Sequence, residues 1–269
     1  MTKTVQQAQW KVAGASVRGF SHEAEDRPCE DHHAVVARAD GWLLAISADG
    51  AGSARHGGRG SELATAKIVE VLDRLLDRKV LLAPRRRLSS TLAQRWIVEA
   101  ITQARQTLGD EAKSLGAEIS DFHATLVGCL VGPRGGGLFF QIGDGAACAQ
   151  NPDCLSEFVL SLPENGEYAE STYFLTEDRW ESHLRFTDIP PAYTQIALMS
   201  DGVTGLALTG GATPAPFGPF LEPVTRFLRD STRPEGERGL AATLASEQVR
   251  TITGDDKTFV WALRDDANG

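Results

Sequence analysis

Four short apolar runs in this sequence carry an aspartate at one end. "LLAISADG" leads from Leu43 to Asp49, "FFQIGDG" from Phe139 to Asp144 and "IALMSDG" from Ile196 to Asp201, while Asp255 and Asp256 stand just before "KTFVWAL". Such runs, bounded by glycine, read as buried strands. A fold that packs these strands together brings several carboxylates to its rim. Unpaired, they would repel one another and stay partly protonated. Divalent cations remove that conflict, and an all-oxygen donor set without a His/Cys cluster suits Mg²⁺ or Mn²⁺ rather than zinc. In the first three runs glycine follows the acid directly. This is expected to let a backbone carbonyl approach an ion and to tolerate unusual φ/ψ.

Asp-Gly is also the strongest short hairpin signal. Between "FFQI" and "AACAQ", Asp144-Gly145 fits a plain hairpin turn as well as a metal site. Asp49-Gly50 differs because a helical pattern follows it. Asp201-Gly202 leads into "VTGLAL", not an obvious returning strand. Other glycine-rich chemistry is excluded. No Gly-Lys-Ser/Thr follows Gly52, so the loop is not a phosphate-binding Walker motif. Arg55 occupies the place of the third glycine of a dinucleotide fingerprint.

The rest of the chain reads as α+β. Residues 41–48 form a strand. Ala64, Ile68, Val71, Leu72 and Leu75 share one helical face, and a second helix is expected from Thr91 to Leu108, capped by Ser89 or Ser90. The segment 80–90, with Pro84, separates them. After Asp121, apolar runs split by glycine read as antiparallel strands. Short strands and acidic loops alternate over 151–192, and 194–200 is another strand. A Gly/Pro-rich loop covers 209–220, a helix 221–229 and a closing strand 258–263. No linker divides the chain, so one domain over residues 9–265 is expected.

Composition narrows the partners. The 269 residues are 42% apolar and 23% charged, with a net charge of −9. That charge disfavours nucleic acid and anionic membrane as partners. No apolar run approaches the roughly 20 residues that span a bilayer, and "MTKTVQQAQW" lacks a signal-peptide core, so a cytoplasmic location is expected. Cys29, Cys129, Cys148 and Cys154 show no metal spacing and are expected to be buried free thiols.

Taken in order, "PCEDHHAV", "SADGAGS", "HATLVGCLV", "QIGDGAA", "LMSDGV" and "DDKTFV" resemble the motifs of the metal-dependent serine/threonine phosphatases of the protein phosphatase 2C type. "SH" at 21–22, "PCED" and "NGEY…TYFLT" resemble a compact bacterial branch of that family. The resemblance implies a four-layer α-β-β-α sandwich with two central antiparallel sheets. It implies a Mn²⁺ or Mg²⁺ pair: Asp49 bridging, the Gly50 carbonyl on one ion, Asp201 and Asp255 on the other. Asp31 with Glu30 would hold metal-bound waters, Asp144 with Asp201 would form a weaker third site, and Asp256 would be a neighbour rather than a ligand. A hydroxide bridging the metals would attack phosphoserine or phosphothreonine in a protein substrate, itself the product of a serine/threonine kinase. The alternative is a weakly active or inactive regulator that binds a phosphoprotein or kinase.

The sequence departs from that pattern in places. Many relatives carry a phosphate-gripping arginine where Asp26 stands here. Arg27 and His22 are the nearest candidates for phosphate binding, His22 also for catalysis. Some relatives have a histidine, a candidate general acid, where this chain has Ala51. His56 is expected to be a flexible surface residue, and His32 and His33 to flank a strand. Arg85–Arg87 read as a solvated charge run.

Overall fold

A computed structural model describes residues 9–82, 88–152, 154–163 and 172–265. The elements in chain order are β1 (Gln9–Val17), α1 (Phe20–Ala24), β2 (Asp31–Ala37), β3 (Leu43–Asp49), α2 (Gly57–Leu82), α3 (Ser90–Leu115), a 3-10 turn (Ile119–Phe122), β4 (Leu126–Val131), β5 (Gly137–Ile142) and β6 (Ala146–Asn151). They continue with β7 (Cys154–Ser161), α4 (Trp180–His183), β8 (Arg185–Ile189), β9 (Gln195–Met199), α5 (Asp201–Ala207), α6 (Gly218–Asp230), α7 (Arg233–Leu244), α8 (Glu247–Arg250) and β10 (Lys257–Asp265).

Two five-stranded antiparallel sheets result, one ordered β1-β10-β9-β6-β7 and the other β2-β3-β4-β5-β8. Side-chain alternation along each strand builds three apolar layers. Leu43, Ala45, Val127, Cys129, Ile196, Leu198 and Val260 fill the space between the sheets. Leu44, Ile46, Leu130 and Phe140 turn the other way, onto Ile68, Leu72, Ile97 and Ile101 of α2 and α3. Met199, Phe259 and Trp261 face Leu221, Leu228, Leu240 and Leu244 of α6 and α7. The expected α-β-β-α sandwich is what forms, because strands apolar on both faces need cover on both.

Several local expectations change. The second helix extends to Leu115, closed by Gly116 at φ 64°, and Ser89 is its cap, accepting from the Leu92 amide. The last loop ends earlier, since α6 begins at Gly218. Asp144-Gly145 is not a hairpin turn. β5 belongs to one sheet and β6 to the other, so the chain crosses between sheets there, helped by Gly143 at φ 99°. Local signals identify a turn but not which sheet the next strand joins. His32 and His33 lie inside β2 rather than flanking it. His56 is half-buried, its ring 5.0 Å from that of Phe122. All four cysteines are free, but Cys29 and Cys154 are only half-buried. Arg85–Arg87 lie outside the described residues. Among the described residues no helix is long and apolar enough to cross a membrane.

Candidate active site

The sandwich gathers its acids at one end of the cleft between the sheets. Asp31 opens β2 and Asp49 closes β3, as direct partners in the ladder. Asp144 sits on the crossing between sheets, Asp201 at the start of α5 and Asp255 two residues before β10. Carboxylate oxygens of Asp49, Asp144 and Asp201 lie within 4.8 Å of one another.

Their electrostatics show the cost of this arrangement. Burial, then the charges of Asp31 and Asp201, hold the Asp49 carboxyl well above its ordinary range. Burial, then the Asp144, Asp255 and Asp31 charges, pushes Asp201 up to about 7. Burial raises Asp31 to about 6 even though the Ser200 hydroxyl donates to its Oδ2 at 2.7 Å. Like charges in a desolvated site favour the protonated forms unless a cation is present.

The donor set fits such a cation. Asp31 Oδ1 and Asp144 Oδ1 are buried and find no hydrogen-bond partner among the described residues. Every side-chain donor at the cluster is oxygen, the chemistry of Mg²⁺ and Mn²⁺. Gly50 lies directly beyond Asp49 at close quarters. A Cβ there would sit 2.3 Å from the Gly57 carbonyl carbon, and its φ is not positive. Tight backbone approach, rather than unusual φ/ψ, explains that glycine.

Around the acids runs a supporting frame that sequence patterns did not reveal. Asp256, a buried neighbour of Asp255, accepts from the Gly19 amide (2.6 Å), the Glu30 amide (2.5 Å) and His22 Nδ1 (2.9 Å). It thereby ties β10 to the entry of β2. His22 is thus held by a carboxylate, with 11% of its side chain exposed. Arg27 bonds Glu30 Oε2 (2.8 Å) and the Gly52 carbonyl (2.9 Å). Lys257 is fully buried, donating to the Asp255 carbonyl at 2.7 Å, and burial lowers its pKa against the pull of nearby acids. Ser200 Oγ, besides holding Asp31, accepts from the Thr258 amide at 2.9 Å. Thr172 donates to Asp144 Oδ2 at 2.5 Å. The position of Asp256 beside a candidate ligand was the one available clue; the hydroxyls give no sequence signal.

Residues 18–245 match the family model described as protein phosphatase 2C. The chain belongs to the protein phosphatase 2C family. Membership makes it a metal-dependent serine/threonine phosphatase, as the motif order implied. It is 32% identical over 263 residues to serine/threonine-protein phosphatase 3 of Escherichia coli (strain K12), covering 94% of this chain and 98% of that one. The fold recurs in the catalytic domain of serine threonine protein phosphatase PstP, solved in complex with two manganese ions. The TM-score is 0.62 at 16% identity, over 96% of this chain and 100% of that one. It recurs in serine/threonine phosphatase Stp1 from Staphylococcus aureus, with TM-score 0.59 at 15% identity over 95% of each chain.

Proposed function

We propose that residues 9–265 form one catalytic domain that hydrolyses phosphoserine and phosphothreonine in proteins phosphorylated by a serine/threonine kinase. The meeting of Asp49, Asp144 and Asp201 oxygens within 4.8 Å, beside Asp31 and Asp255, carries this reading. Asp49, Asp201, Asp255 and the Gly50 carbonyl would hold a Mn²⁺ or Mg²⁺ pair. Asp144 with Asp201 would hold a weaker third ion. Asp31 and Glu30 would accept from coordinated water. When bound, such cations neutralise a phosphate dianion and lower the pKa of coordinated water from about 15.7 to about 7.

The chain's own groups prepare the site. Ser200 orients Asp31, and Asp31 and Asp49 converge from paired strands. Arg27, half-exposed beside Glu30 and Gly52, would offer its guanidinium to a phosphate arriving at the rim. His22 is held by Asp256 through Nδ1, and we assign it the support of that rim and of bound phosphate.

Phosphate release from a phosphoserine peptide should require Mn²⁺ or Mg²⁺, stop on chelation, and fall about 10²-fold or more in Asp49→Asn and Asp201→Asn. Full activity in either variant would refute the site. Tight peptide binding without turnover in saturating Mn²⁺ would instead favour the regulator.

A further inference from the structure

We propose that His123 is the catalytic residue that protonates the leaving seryl or threonyl oxygen, an inference that rests on the phosphatase reading above. The acids and their cations address the phosphate charge and the attacking water. They leave unanswered what carries a proton to a serine alkoxide, a poor leaving group. Ala51 offers none. His22 is engaged by Asp256, His32 by Ser61 and His33 by Ser16, and His56 packs on Phe122.

His123 stands apart from these by its position. The Thr125 amide donates to the Asp49 carbonyl at 2.8 Å, Gly50 bridges Ala124 antiparallel, and the Ala51 amide donates to the His123 carbonyl at 2.9 Å. His123 therefore lies opposite Ala51 and diagonally across from Asp49. Phe122, Ala124 and Leu126 face the α2–α3 core, while Val127 and Cys129 face the space between the sheets. By alternation, His123 shares the second face, which Leu43, Ala45 and Asp49 also occupy. Diagonal neighbours on one face of such a ladder are about 7–8 Å apart, a gap a phosphate ester can bridge.

The ring is also aimed. Its Nδ1 is 2.5 Å from Thr176 Oγ1, and the Phe174 ring stacks on it at 4.7 Å and 11°. Four residues before Thr176, Thr172 holds Asp144. One segment thus links an acid of the cluster to the imidazole. In the protonated ring both nitrogens are donors: Nδ1 donates to the hydroxyl oxygen of the buried Thr176, and Nε2–H is the proton left to give. Burial lowers the imidazole pKa while Glu177 and Asp121 raise it, and an arriving phosphate dianion acts with those two acids.

In the step itself a water oxygen bonds to phosphorus as the bond from phosphorus to the seryl oxygen breaks. That oxygen keeps the electron pair and takes the proton from Nε2 of the imidazolium, which becomes neutral imidazole. The proton released by the attacking water restores the imidazolium, so ester and water give alcohol and inorganic phosphate.

The test compares leaving groups, because p-nitrophenolate departs without a proton and a serine alkoxide does not. His123→Gln and His123→Ala should lose about 10²-fold in kcat on a phosphoserine peptide, and at least tenfold less than that on p-nitrophenyl phosphate. Thr176→Val should show the same preference more weakly. Calorimetric Mn²⁺ binding and thermal melting of each variant report on the fold independently. Equal losses on both substrates, in a variant that still folds and binds Mn²⁺, would overturn the assignment while leaving the phosphatase reading intact. A wild-type chain that hydrolyses neither substrate with Mn²⁺ would instead overturn the phosphatase reading, and this one with it.

Discussion

Asp31 and Asp49 face each other in register across the β2–β3 ladder, the first carboxylate buried and the second half-buried. A like-charged pair directly opposite is destabilising in a sheet, more so when desolvated. The site is thus built at the expense of the apo fold, which gives a pH signature.

Asp31 and Asp201 rise from an ordinary 3.8 to about 6 and about 7. The folded state then binds more protons than the unfolded one between about pH 4 and 7, so stability falls as pH rises through that window. Metal-free protein should melt several degrees higher near pH 5.5 than near pH 7.5, and saturating Mn²⁺ should shrink the difference. A chelated protein more stable at pH 7.5 would contradict the buried acid cluster.

Asp256 holds two backbone amides and His22. Asp256→Ala leaves buried donors unpaired and should cost about 3 kcal/mol in denaturant unfolding. Asp256→Asn keeps an acceptor and should cost less. Mn²⁺ affinity should weaken in both, since Glu30 and Asp31 lose their anchor. Unchanged stability in Asp256→Ala would show that the clasp contributes nothing.

Two glycines should respond in opposite ways to alanine. At Gly50 the added Cβ would meet Gly57 backbone at 2.3 Å, and Gly50→Ala should destabilise by about 2 kcal/mol or more. Gly109 lies inside α3 with nothing within 4 Å of an added Cβ. Gly109→Ala should stabilise by about 0.5–1 kcal/mol. Melting curves of the two variants decide the matter, and a shared sign would refute the steric account.

Ser200 bridges Asp31 and the Thr258 amide. Ser200→Ala should cost about 1–3 kcal/mol and lower activity about 10-fold through a misplaced Asp31. Activity at the wild-type level, by phosphate release, would mean that Asp31 needs no such support.

Much of this was legible in the chain. Apolar runs ending in Asp49, Asp144 and Asp201 marked both the core strands and the acids, because a buried strand that ends in a carboxylate obeys one local pattern. Helical periodicity likewise revealed the faces of α2 and α3, though not the last two turns of α3. What the chain could not reveal depends on pairing between distant segments. Asp144-Gly145 became a crossing because β5 and β6 joined different sheets. Asp256 became a clasp because β10 lies beside the entry to β2. His123 came to lie opposite Ala51 because Ala124 pairs with Gly50, far away in sequence. Periodicity encodes which side chains are buried and which acids end strands; strand register and sheet membership, set by long-range packing, decide which of those groups meet.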